Sequence, residues 1–175
     1  MNEADDAAKL AAGRAWFDFY THRASNGVHT ERSAHLRQIC PCCGYATLPQ
    51  RGRYDVCELC NWEDDGQDDP YADEVWGGPN SHYSLMQARE NFKRHWIMYD
   101  PDDSDRRHLF NSSVEMEAKK AIVAAFEAMK NADETEQALL WNEVRKGEAI
   151  LSRELSRSIA EDEARIEASK RMERN

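Results

Sequence analysis

The chain of 175 residues carries 33 acidic and 23 basic side chains, a formal net charge of -10, with a pI near 5.1. That balance argues against a nucleic-acid backbone binder, which needs a basic face, and suits a protein with a basic partner or with no charged partner at all. Five Trp, five Phe and six Tyr supply a core, no apolar run approaches the ~20 residues of a membrane span, and the acidic start MNEADDAAKL lacks a signal-peptide pattern, so a soluble, cytoplasmic protein is expected.

In chain order, residues 4–24 read as an Ala-rich helix that stops at Ser25-Asn26-Gly27. Its Trp16, Phe17, Phe19 and Tyr20 span more than one face, so the helix is expected to touch two surfaces as ordinary core. Tyr45–Leu48 and Arg53–Val56 read as the two strands of a hairpin around Gln50-Arg51-Gly52. A loop follows over residues 62–80, closing with a tight turn at Gly77-Gly78-Pro79-Asn80. Ser84 and Gln87 form a capping box; the helix behind it lines up Leu85, Ala88, Phe92, Trp96 and Tyr99 and ends before Pro101. Ser112 and Glu115 form a second capping box, ahead of a core face of Ala118, Ile122, Ala125, Phe126 and Met129. Asp133 and Glu136 cap a last helix, which carries Leu140, Val144, Leu151 and Leu155, and a kink or break is expected at Gly147. From Ser152 on, six acidic and six basic residues indicate a solvated helix held by i,i+4 ion pairs. The class is therefore α+β, a small β-hairpin unit over residues 36–100 between helical flanks, 1–35 and 101–175.

All five cysteines fall between positions 40 and 60. An odd, clustered set with no secretory signal points to a metal and not to disulfides. Cys40 and Cys43 form one Cys-x-x-Cys pair, and Cys57 and Cys60 form the second. Two such pairs supply the four thiolates that a tetrahedral structural zinc wants. One zinc per chain is expected; iron in a rubredoxin-like centre is the alternative, since ligand type does not decide between them. Gly44, after the first pair, allows a positive φ that turns backbone amides toward the sulfurs. Cys42 is the extra thiol. It can be a small buried filler, a substitute ligand for Cys43, or an exposed reactive thiol beside the metal.

Asp55 to Glu74 contains nine acidic residues and no Lys or Arg. So many like charges repel unless something offsets them. Glu63, Asp64, Asp65, Asp68 and Asp69 are therefore candidates for docking a basic partner. The spacing is wrong for an EF-hand calcium loop.

CPCCGYATL, RGRYDVCELCNWEDDGQDDP and GGPNSHYSLMQARENFKRH together resemble the bacterial CPCC-type cysteine-rich domain family over about residues 39–95. The resemblance implies a small zinc-ribbon-like domain and no established activity. Glu58 stands where that family commonly has Pro. In such an arrangement Trp62 can cover the metal's apolar side, Tyr45 and Tyr54 can flank the hairpin, and Arg89 and Arg94 can pair with the acidic loop.

Three functions follow. The first is a non-enzymatic, zinc-stabilised module that binds a basic protein, for instance as an antitoxin or immunity-type inhibitor of a nuclease-like toxin. The second is a thiol- or metal-dependent enzyme using Cys42, although the six histidines are scattered and no HExxH, GxSxG, P-loop or GxGxxG motif occurs. The third is a nucleic-acid-binding zinc ribbon that touches phosphate through Arg51 and Arg53. The first fits the charge best.

Overall fold

The computed structural model describes residues 3–25, 37–104 and 111–172. Helix α1 spans Glu3–Ser25, strand β1 Gln38–Ile39 and strand β2 Ala46–Leu48. Short 3-10 turns at Asp69–Tyr71 and Gly78–Asn80 lead to α2, Leu85–His95. Helices α3, Ser113–Met129, and α4, Glu134–Met172, complete the chain. This is an α+β arrangement with a small antiparallel hairpin between helical flanks.

The hairpin pairs differently from the sequence expectation. Ala46–Leu48 pairs with Gln38–Ile39, in front of the first cysteine pair, and not with Arg53–Val56. Residues 54–56 pair across the second cysteine pair instead: Val56 bridges Glu63, and the Tyr54 amide donates to the Asp64 carbonyl at 2.9 Å. The reason is local. Each Cys-x-x-Cys segment reverses the chain by itself, so each flank meets its own return before it can meet the other unit.

All three capping boxes form. The Gln87 amide donates to Ser84 Oγ at 3.2 Å and the Ser84 amide to Gln87 Oε1 at 2.9 Å; the same reciprocal pair joins Ser112 with Glu115 and Asp133 with Glu136. Helix α2 is shorter than its apolar stripe suggests. Trp96 adopts a left-handed φ of 62° and ends it. Ile97, Met98 and Tyr99 then continue buried outside the helix, because the Met98 amide donates to the Cys60 carbonyl at 2.8 Å.

Helix α1 does meet two surfaces. Phe17, fully buried, packs edge-on against Tyr45 of the cysteine unit and against Phe126 of α3. Tyr20 stacks near Trp141 of α4 and accepts a hydrogen bond from its indole N–H at 2.8 Å. A bidentate Arg37–Glu148 pair ties the entry to β1 onto α4.

Helix α4 is continuous through Gly147, so the expected break does not occur. A Cβ at Gly147 would lie 2.4 Å from Ile122 Cγ1. Glycine is there to let α3 and α4 approach closely. Trp141, Val144, Gly147 and Leu151 face inward, whereas Leu155 is exposed. Beyond it the helix carries the expected solvated pattern, with ion pairs such as Arg157–Glu154 at 2.7 Å and Arg171–Glu167 at 3.4 Å. No helix among the described residues is long and apolar enough to cross a membrane.

Candidate metal centre

The two cysteine pairs are built alike. In the first, the Cys40 amide donates to the Tyr45 carbonyl and the Gly44 amide to the Cys40 carbonyl, both at 2.9 Å. In the second, the Cys57 amide donates to the Trp62 carbonyl at 2.9 Å and the Asn61 amide to the Cys57 carbonyl at 2.8 Å. The residue after each pair must be left-handed for this closure. Gly44 has φ 80°, and Asn61 has φ 66°. Asparagine is among the few non-glycine residues that tolerate this region. Gly44 has a second reason to lack a side chain, because a Cβ there would sit 2.5 Å from Leu10 Cδ1 of α1.

Those turns place Cys40, Cys43, Cys57 and Cys60 around one point. Their four sulfurs all lie within 4.8 Å of one another, in a group that could hold a metal ion. Sγ of Cys40 is 3.6 Å from that of Cys60, and Sγ of Cys43 is 3.7 Å from that of Cys57. A zinc tetrahedron with bonds of about 2.3 Å has sulfur edges of about 3.8 Å. The spacing therefore fits a first-row metal in a tetrathiolate cage. All four residues are buried, Cys43 being the most open at 5%.

Burial pushes the Cys40, Cys43 and Cys60 thiols well above the ordinary thiol range. It acts on Cys57 as well, but hydrogen bonds from the three other cysteines and Thr47 outweigh it and bring Cys57 well below that range. Thr47 Oγ1 lies 3.0 Å from Cys57 Sγ. A cation is what allows all four to ionise together.

Cys42 stands outside this group. At 2% exposure it is a buried side chain, so the exposed, reactive thiol considered from the sequence is not what the fold presents. Of the histidines, His82 stacks on Tyr83 at the surface; His29, His35 and His108 lie outside the described residues. Trp62, two residues after the second pair, is fully buried. Tyr45 stacks on Phe126 and donates to Glu127 Oε1 at 2.9 Å, while Tyr54 is 60% exposed.

Residues 38–109 match the family model described as cysteine-rich CPCC. This segment is similar to cysteine-rich CPCC domains. No curated protein and no solved structure matches the chain. Helices α1, α3 and α4 lie outside the matched segment.

Four carboxylates of the acidic loop, Asp64, Asp65, Asp68 and Asp69, are held by other groups of the chain. Asp64, fully buried, accepts from Arg51 Nε at 2.9 Å and from the Gly52 amide at 2.6 Å. Asp68 accepts from the same guanidinium at 3.2 Å. Asp65 accepts from the Gln67 amide and from Asn80 Nδ2. Asp69 accepts from Arg14 of α1 at 2.8 Å and from Arg89 of α2 at 2.5 Å, and these two arginines hold its carboxyl below the usual carboxylate range against the opposing effect of burial. Both arginines also donate to the Pro41 carbonyl inside the first cysteine turn. Arg89 pairs with the loop as expected; Arg94 pairs instead with Glu90 on its own helix. Arg51, committed to Asp64 and Asp68, is not a spare cation for phosphate.

What the sequence did not disclose is Lys119. This residue of α3 is 2% exposed and sits behind Asn61.

Proposed function

We propose that this chain is a non-enzymatic, zinc-stapled scaffold that presents a docking face to a basic protein. One observation carries the metal half: four buried cysteine sulfurs, all within 4.8 Å, with no more than 5% exposure on any of the residues. Catalytic zinc keeps an open position for water or substrate, whereas a site closed by four protein ligands is structural. Cys40, Cys43, Cys57 and Cys60 would hold the ion, and zinc rather than iron suits a cage whose work is to fix two turns together. The ion would supply the charge that lets four thiolates coexist.

The docking half rests on the loop that follows the acidic run. Tyr71, Val75, Trp76 and Met86 are each about half exposed. They form one patch: the Tyr71 and Trp76 rings are 5.9 Å apart, and the Met86 amide donates to the Ala72 carbonyl at 2.7 Å. The patch is preorganised, because buried Gln67 donates through Nε2 to the Tyr71 and Glu74 carbonyls, both at 2.7 Å. Exposed Asp73 and Glu74 flank it, and Glu74 accepts from the Trp76 indole at 3.1 Å. Rigid aromatics ringed by acid favour Lys- or Arg-bearing partners, through cation–π contact and charge attraction. The docking face on this reading is centred on residues 71–76, beside the Glu63, Asp64, Asp65, Asp68 and Asp69 segment.

The test is a Tyr71→Ala/Trp76→Ala double variant. Both side chains are exposed, so stability should change by only about 0.5 kcal/mol. A partner captured by the wild-type protein, released by salt and lost with the double variant, is the expected result. A partner held equally by both proteins would remove this face from the account.

A further inference from the structure

Lys119 is the only basic residue in the buried set among the described residues. Its Nζ donates to the Trp96 carbonyl at 3.1 Å and to Asn61 Oδ1 at 3.3 Å. Both acceptors are neutral. An ammonium sealed from water needs an opposite charge nearby, or its burial is strongly unfavourable. Burial pulls this lysine below its ordinary range, and Cys60, Cys57 and Glu115, one helical turn away, act in the opposite direction. Glu115 already receives the Ser112 amide in its capping box.

Four thiolates around a dication carry a net charge of -2, enclosed in a low-dielectric core. Thr47 supplies one hydroxyl to it. Asn61, whose left-handed backbone closes the second cysteine turn, turns its side chain to Lys119. Trp96, whose carbonyl is the other acceptor, stands two residues before the Met98 amide that binds the Cys60 carbonyl. The ammonium therefore sits against the two backbone segments that frame the second pair.

We infer that Lys119 is the buried counter-cation of the metal–thiolate centre, so that helix α3, beyond the matched family segment, completes the charge of a site whose ligands all lie within that segment. This inference rests on the metal reading above. It makes Lys119 a positioning and charge-balancing residue, and it couples metal retention to the docking of α3.

The test uses the full-length zinc-loaded protein, with zinc first quantified in the wild type. Lys119→Met removes charge and hydrogen bonds; Lys119→Gln keeps a donor and removes only the charge. Chelator competition should show both variants holding zinc about tenfold more weakly, the size usual for groups that support metal ligands from behind. In the cobalt-substituted proteins, the thiolate charge-transfer bands should shift in both. Wild-type affinity in Lys119→Met overturns the inference. Full recovery in Lys119→Gln overturns it too, since hydrogen bonding would then suffice. Where neither variant folds, the nitrogen NMR shift of Lys119 Nζ in zinc-loaded wild type decides: an ammonium at neutral pH supports the inference and a neutral amine refutes it. Absence of any metal from the wild type defeats the metal reading itself, which separates the two failures.

Discussion

Replacing Thr47 by valine deletes one hydroxyl beside the sulfur cluster and little else. The residue is central in β2, where a β-branched side chain of the same shape is equally at home. Its Oγ1 lies 3.0 Å from Cys57 Sγ and 3.4 Å from the Tyr45 carbonyl. With one proton to give, the shorter contact to an anionic sulfur takes it. Hydrogen bonds to charged groups contribute about 1.5–3 kcal/mol, and tenfold in an equilibrium constant is about 1.4 kcal/mol. Part of that is returned when the larger valine methyl packs against the sulfur, so the lower end applies. Thr47→Val should therefore weaken zinc binding about tenfold, read by competition against a chromogenic chelator, with secondary structure unchanged. Zinc affinity equal to wild type would show that the hydroxyl does not act on the site, and the argument that Cys57 is stabilised as a thiolate would fail with it.

Gly147→Ala should destabilise the protein although alanine is the better helix former. The gain of about 1 kcal/mol in propensity is outweighed by forcing a methyl to 2.4 Å from buried Ile122 Cγ1, an overpacking that costs about 1–3 kcal/mol; a denaturant midpoint at or above wild type would refute the close α3–α4 approach. Cys42→Ala should leave the metal content unchanged and cost about 1 kcal/mol in unfolding experiments as a small cavity; loss of metal would place Cys42 among the ligands. Arg51→Met should cost about 3 kcal/mol, because it leaves buried Asp64 without its cation; a change under about 0.5 kcal/mol in denaturant titration would contradict the internal neutralisation of the loop. Tyr45 is held well above the usual phenol range by burial and by Glu127. Its folded-state value exceeds the unfolded one, so its contribution is complete below the unfolded pKa near 10 and falls by about 1.4 kcal/mol per pH unit above it. Tyr45→Phe should flatten the alkaline limb of the stability curve by that amount, and an unchanged slope in melts from pH 9 to 11 would argue against a buried, protonated Tyr45.

The parts of this fold that were legible in the sequence are the ones fixed within a few residues. The two Cys-x-x-Cys pairs, the three capping boxes and the core face of α3 each depend on short spacings, and the structure forms them as written. Pairing of Ala46–Leu48 was misread because the sequence shows that a strand exists but not which return it meets. Arg89 was legible as a cation for the acidic run, but Arg14 was not, since it lies 55 residues from Asp69 on another helix. Gly147 looked like a helix breaker because its reason for lacking a side chain, Ile122, sits on another helix. Lys119 sits among the core positions of α3, beside Ala118 and three residues before Ile122. A lysine in an otherwise apolar stripe was the available signal, and only the site behind it gives that signal a meaning. Asn61 was likewise readable in principle, since it occupies after the second pair the place that Gly44 occupies after the first.

The central claim is that four cysteines hold one structural zinc. Native mass spectrometry of the full-length protein, with elemental analysis of the same sample, tests it most directly. The expected result is one zinc per chain, with all five thiols unreactive to a thiol reagent until a chelator or denaturant is added, Cys42 because it is buried and the others because they are ligated. A chain that carries no metal, or one in which Cys40, Cys43, Cys57 and Cys60 react freely in the native state, would contradict it.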